Sequence, residues 1–360
     1  MVKALVARSA GADLAVEEIE LPRPEPGEVR VRIAAAGVCH SDLSMINGTV
    51  RPKFPLVLGH EAAGVVIETG SEVRRVAEGD HVVINWSPAC GECAFCQHGE
   101  PWLCVTMEGV TSRPRGTLAD GTPTHVTLGV GALAEEVVVG EGALVTVSPE
   151  LPMADAALLG CAVLTGVGAV HNTARVRQGE SVAVIGLGGV GLSAVAGAQL
   201  AGAERIVAVD ISADKEELAR TCGATDFLIS NPELPQVVHS LTDGLGVNHT
   251  FECVGRSDTI RAAWQSTRRG GTCVVVGMGS RDDKISFSAL ELFHFARTLT
   301  SSVYGSADPD RDIPGIASAV LSGSLNLDAI VTHQISLSDV PAAFDRMRHG
   351  EGGRSIVLFT

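Results

Sequence analysis

The stretch Ser181–Asp210, SVAVIGLGGVGLSAVAGAQLAGAERIVAVD, decides the fold. It reads as a buried strand (SVAVI), a tight glycine turn (GLGGVG), a helix to about Gln199 and a second buried strand (RIVAVD). Gly186, Gly188 and Gly191 occupy the G-x-G-x-x-G positions, with Gly189 and Val190 between them. The first glycine permits the turn, the second lets backbone approach a pyrophosphate, and the third lets helix and strand pack closely. The helix N-terminus offers unpaired N–H groups to the phosphates. Asp210 ends the second strand, 19 residues after Gly191. A carboxylate there accepts ribose hydroxyls and repels a 2′-phosphate, so the pattern predicts NAD rather than NADP. Ser181–Ala203 also carries no charge over 23 residues, which reaches membrane-spanning length. Its many glycines, and Glu180 and Glu204 at its flanks, favour the strand–turn–helix reading.

Working outward, the alternation continues with a helix over ADKEELARTCG, a strand DFLI, a helix from Pro235, a strand NHTFECVG, a helix SDTIRAAWQSTRR and a strand TCVVVGM. Strand–helix–strand order with short apolar strands implies a doubly wound parallel sheet over residues 163–303. Residues 1–162 read as a β-rich domain, with VKALVA, EVRVRIAAAGV, LVLGHEAAGVVIETG and GDHVVIN as strand-like runs. Within them, 86–125 is irregular and rich in Cys, Gly and Pro, so something other than an apolar core is expected to hold it. Residues 304–360 hold two amphipathic helices, near IPGIASAVLSG and SDVPAAFDRMRHG, and are expected to return to the first domain.

Apolar residues make up 45% and charged residues 19% of the 360, a globular balance. The net charge of −15 disfavours nucleic acid and anionic membrane as partners. The N-terminal MVKALVARSAG lacks a signal-peptide pattern, which predicts a cytoplasmic protein. Nine cysteines without a secretory signal point to metal thiolates rather than disulfides. Cys90, Cys93, Cys96 and Cys104 give C-x2-C-x2-C-x7-C. Four thiolates close a tetrahedral zinc shell, and a closed shell is structural. The bacterial iron–sulfur run needs an x3 step and a following Pro, whereas Val105 follows Cys104. Cys39, His60 and Cys161 are further candidate ligands, but no spacing rule joins them.

GVCHSD (37–42), GHEAAG (59–64), the four-cysteine run, LGCAVLTGVGAV (159–170), GLGGVG (186–191), AVDISADK (208–215) and GRSIVLF (353–359) stand in one order along the chain. In these the sequence resembles the zinc-containing alcohol dehydrogenases of the medium-chain dehydrogenase/reductase superfamily, over essentially its whole length. The resemblance implies an α/β protein with a GroES-like catalytic domain and a Rossmann coenzyme domain. It implies two zinc ions per chain, the catalytic one held by Cys39, His60 and Cys161. Glu61 would be a carboxylate able to approach that metal, and Asp42 would orient His60. Zinc with an open position acidifies an alcohol, whose hydride passes to the nicotinamide. Ser41 would take the alcohol proton. His40 and Arg354 would hold the pyrophosphate, Lys215 the adenosine ribose and Thr165 the nicotinamide side. Trp86, Leu128, Met278 and Val303 would line an apolar pocket suited to a primary aliphatic, allylic or benzylic alcohol.

Two departures matter. Ser44 stands where animal relatives end the proton relay with a His. Val50 and Glu108 stand where the formaldehyde-oxidising branch holds glutathione carboxylates with an Asp and an Arg, which disfavours a glutathione adduct. Cys222, Cys253 and Cys273 read as ordinary buried thiols. The segment around 105–130 resembles dimeric rather than tetrameric relatives. A same-superfamily aldehyde or enone reductase and a catalytically silent zinc-stabilised binding protein are the competing readings.

Overall fold

The computed structural model describes residues 1–107 and 113–359. Its six-stranded sheet runs in the order Asp226–Ile229, Arg205–Asp210, Ser181–Ile185, Val247–Glu252, Thr267–Val275 and Thr298–Ser301. Every pairing in it is parallel. Numbered along the chain, this is the strand order 3-2-1-4-5-6, which reverses direction beside the first strand and so opens a crevice at the strand ends. Val182, Val184, Val207 and Val209 have no exposed surface. Each such side chain contributes roughly 1.5–3 kcal/mol of burial. The helix Gly189–Leu200 is buried along most of its length, which explains why its sequence shows no polar face. The 23-residue uncharged stretch is therefore strand, turn and core helix. Among the described residues no single helix is long and apolar enough to cross a membrane.

The β-rich half contains a closed barrel and a seven-stranded sheet. The barrel joins Val2–Ala7, Leu14–Glu20, Gly116–Leu118, Pro123–Val126 and Leu56–Val57. The sheet runs Leu144–Thr146, His81–Ile84, Glu61–Thr69, Glu28–Gly37, Arg354–Leu358 and Val331–Ile335, with Glu136–Gly140 also pairing Glu28–Gly37. The last strands of the chain thus lie in the same sheet as Glu28–Gly37, and Ile356 pairs Gly37.

Two local expectations need correction. Residues 86–125 are not irregular throughout, because Gly116–Leu118 and Pro123–Val126 are strands that help close the barrel. The helix expected through SDTIRAAWQSTRR stops at Ser266, and Thr267–Val275 is strand. There Thr267 already pairs with Val247, and Arg268 and Arg269 fall in the register shift that precedes the Thr272–Val275 pairings.

Candidate active and metal sites

Three element starts bring the dispersed ligands together. Cys39 caps the helix His40–Ile46, His60 immediately precedes the strand Glu61–Thr69, and Cys161 caps the helix Ala162–Gly168. All three are buried, and their ligand atoms lie within 4.8 Å of one another. Cys39 Sγ is 4.0 Å from Cys161 Sγ, and Cys161 Sγ is 3.4 Å from His60 Nε2. Tetrahedral zinc with usual bond lengths needs about 3.8 Å between sulfurs and about 3.6 Å from sulfur to nitrogen. The donor types and these separations therefore fit zinc. The Cys161 S–H, the Arg354 guanidinium and His60 hold the Cys39 thiol well below its ordinary value against the effect of burial. Asp42, itself fully buried, faces His60 Nδ1 at 3.2 Å. Its Oδ1 also accepts the Gly59 N–H at 2.9 Å. That leaves Nε2 to face the sulfurs.

Glu61 is fully buried, and burial pushes its carboxyl up to about 7 against the pull of Arg354. The Arg354 Nη2 stands 3.2 Å from Glu61 Oε2, while its Nη1 donates to the Val38 carbonyl at 3.1 Å. The same guanidinium closes over the glycine turn, since a Cβ on Gly189 would lie 2.7 Å from Arg354 Nε. Arg354 thus bridges the ligand cluster and the turn. The two are joined again where helix Ala162–Gly168 meets helix Gly189–Leu200. There a Cβ on Gly166 would fall 2.4 Å from the Val190 carbonyl oxygen.

At the turn, Gly186 adopts φ +90, a region that L-residues with side chains disfavour. A Cβ on Gly191 would sit 1.8 Å from the Gly186 carbonyl oxygen, whereas one on Gly188 would meet open space. The space over exposed Gly188 is where a phosphate can approach backbone. Asp210 is held at the strand end, its Oδ2 accepting the Leu187 N–H at 2.7 Å and its Oδ1 the Ser212 N–H at 3.1 Å. Lys215, expected at the adenosine ribose, lies at the start of the helix that follows the second strand. It is 4% exposed, and its ammonium donates to the Gly352 carbonyl. Burial lowers its pKa against the opposing pull of Asp210 and Asp214.

The second cluster gathers Cys90, Cys93, Cys96 and Cys104 around a one-turn helix, Ala94–Gln97. Sulfur separations of 3.5, 3.9 and 4.0 Å match a tetrahedral tetrathiolate shell. The N–H groups of Glu92 and Cys93 point at Cys90 Sγ, and that of Cys90 at Cys104 Sγ. Burial resists ionisation of Cys104, but the Thr106 hydroxyl and the Cys90 N–H bring its thiol down to about 6. Of the remaining thiols, Cys222 and Cys273 are buried, while Cys253 is only half-buried.

Ser41 is half-buried with its Oγ 3.8 Å from Cys39 Sγ; His40 is exposed and Ser44 buried. Thr165 is half-buried on the helix that follows Cys161, and its N–H donates to the Cys161 carbonyl at 2.9 Å. The Trp86 ring stands edge-on to His60 at 6.3 Å, so it forms a wall beside the ligand cluster. Leu128 is half-buried with φ 50, and Met278 and Val303 are half exposed. Sequence reasoning passed over Tyr304, which lies 4.5 Å from Trp86 ring to ring. Its place next to Val303 was the available signal.

Two family models match this chain: the alcohol dehydrogenase GroES-like domain over residues 25–152, and the zinc-binding dehydrogenase over residues 189–322. S-(hydroxymethyl)glutathione dehydrogenase from Escherichia coli O1:K1 is 39% identical, the match covering 99% of each chain. Benzyl alcohol dehydrogenase from Acinetobacter calcoaceticus superposes with a TM-score of 0.92 at 28% identity, over 100% of this chain and 99% of that one. An alcohol dehydrogenase zinc-binding domain protein from Burkholderia ambifaria gives 0.95 at 32% identity, over 100% and 99%. The chain belongs to the zinc-containing alcohol dehydrogenase family of the medium-chain dehydrogenase/reductase superfamily.

Proposed function

We propose that this protein is an NAD-linked dehydrogenase that holds two zinc ions per chain and reversibly oxidises a primary aliphatic, allylic or benzylic alcohol. The buried Cys39–His60–Cys161 cluster, bridged by Arg354 to the glycine turn, carries this reading. When bound, zinc supplies Lewis acidity to the alcohol oxygen and NAD accepts the hydride. Cys39, His60 and Cys161 hold the metal, and Asp42 fixes the tautomer of His60. Ser41 takes the alcohol proton, and exposed His40 beside it offers an exit toward solvent. Arg354 and the Gly186–Gly191 turn hold the pyrophosphate, and Trp86 forms the aromatic wall of the alcohol pocket. Cys90, Cys93, Cys96 and Cys104 hold the structural ion.

The Escherichia coli relative is named for a glutathione adduct, which is the second candidate substrate. Val50 argues against it, because this residue packs half-buried against the apolar core instead of offering a charge. Glu108, the other diagnostic position, lies outside the described residues. The deciding experiment compares kcat/KM for NAD reduction with benzyl alcohol and with formaldehyde plus glutathione. We expect the first to be larger, and a reversal would select the adduct. Running carbonyl substrates in the opposite direction separates a dehydrogenase from a dedicated reductase.

Asp210 should make the enzyme prefer NAD over NADP by about a hundredfold in kcat/KM, since each 1.4 kcal/mol of lost contact and charge repulsion is tenfold. Asp210→Gly should narrow the gap. Equal efficiencies in the wild type would refute the role of Asp210. A cytoplasmic homodimer is the proposed form. Leu290 and Phe293, 72% and 84% exposed beside the outermost strand Thr298–Ser301, support self-association there.

A further inference from the structure

Tyr304 is the single tyrosine of the chain, and it is 3% exposed. It lies just past Thr298–Ser301, the last strand of the coenzyme sheet. Its hydroxyl donates to the Gly160 carbonyl at 2.7 Å, one residue before the ligand Cys161. Burial pushes the phenol well above its ordinary value, so it stays protonated and can donate. Its ring packs on Trp86. The turn that carries it is unusual, because Tyr304, Gly305 and Ser306 all adopt positive φ, at 51, 71 and 46. Such a run persists only when its surroundings hold it. Thr173 Oγ1 bonds both Ser302 and Ser306 Oγ at 2.8 Å, and Asn172 Nδ2 donates to the Gly305 carbonyl at 3.3 Å. Gly305 also presses on the helix after Cys161, where a Cβ on Gly168 would lie 2.5 Å from its carbonyl oxygen.

We propose that Tyr304 is a positioning residue of the alcohol pocket, fixing the Trp86 wall and the Gly160–Cys161 backbone to each other and to the end of the coenzyme sheet. The inference rests on the alcohol dehydrogenase reading given above. A side chain that only filled the core would leave the relative rates of different alcohols alone. One that sets the wall governs a substrate large enough to reach Trp86 more than one that is not.

The test compares kcat/KM for benzyl alcohol and for ethanol in wild type, Tyr304→Phe, Trp86→Ala and the double variant, with KM for NAD measured alongside. Tyr304→Phe should lower the benzyl-to-ethanol ratio about fivefold or more, a scale set by one lost hydrogen bond, with KM for NAD unchanged. In the Trp86→Ala background the same substitution should change the ratio no further. An unchanged ratio, or equal effects in the two backgrounds, overturns the role. Should Tyr304→Phe fail to fold, biosynthetic 3-fluorotyrosine labels this position alone in the wild-type chain. Its 19F resonance should shift when benzyl alcohol binds and move less with ethanol, and no shift with benzyl alcohol overturns the role. A wild type that oxidises neither alcohol instead refutes the function reading on which the role rests.

Discussion

Cys161→Ala is expected to lower alcohol turnover by about 10³-fold or more while the protein remains folded. The cluster it belongs to has three protein donors, and losing one leaves too few to hold the ion in place. Lewis acidity contributes several kcal/mol to the reaction, and each 1.36 kcal/mol is tenfold in rate. Elemental analysis should find two zinc ions in the wild type and one in the variant. Cys93→Ala is the contrasting case. The lobe carrying Cys90, Cys93, Cys96 and Cys104 has no buried residue on its short helix Ala94–Gln97, so under the proposed two-zinc reading the ion rather than an apolar core would hold it. That variant should lose thermal stability first and activity only as a consequence. One zinc or none in the wild type, or full turnover in Cys161→Ala, would show the ligands to be misassigned.

Ser41→Ala is expected to lower alcohol oxidation by about 10²-fold or more, the scale of a lost proton-transfer group. Ser41 Oγ lies 3.8 Å from Cys39 Sγ, which puts a hydroxyl beside the proposed metal ligands. Ser44 cannot continue a relay as a base, because a serine hydroxyl does not titrate near neutral pH. It is also 2% exposed, so a Ser44→His ring would have to displace buried neighbours. His40 is exposed at the start of the same helix, so the proton should leave by His40 or by water. Ser41→Thr should keep the relay and slow bulky and secondary alcohols first. The measurement is kcat against pH for wild type, Ser41→Ala and His40→Gln. A wild-type rate and profile in Ser41→Ala would send the proton by another route.

The Rossmann half was legible because its information is local. A buried strand, a glycine turn and a helix declare themselves within 30 residues, and the structure has all three at Ser181–Leu200. The four-cysteine lobe was legible for the same reason, since its ligands fall within one short run. The barrel was less so. Gly116–Leu118 and Pro123–Val126 are short and contain residues that disfavour strands, and besides pairing with each other they are held by the distant strands Leu14–Glu20 and Leu56–Val57.

What the sequence determined alone was the presence of the parts: the dinucleotide turn with Asp210, a tetrathiolate lobe, and an α/β alternation beside a β-rich half. The ligand set came from family resemblance, because 101 residues separate His60 from Cys161 and 122 separate Cys39 from Cys161. The tertiary structure alone decided that Arg354 bridges Glu61 and the glycine turn, that Lys215 meets Gly352, and that Tyr304 packs on Trp86 while bonding Gly160. These contacts join segments far apart in the chain. Local propensity acts over a few residues, whereas such meetings are fixed only when packing closes the chain on itself.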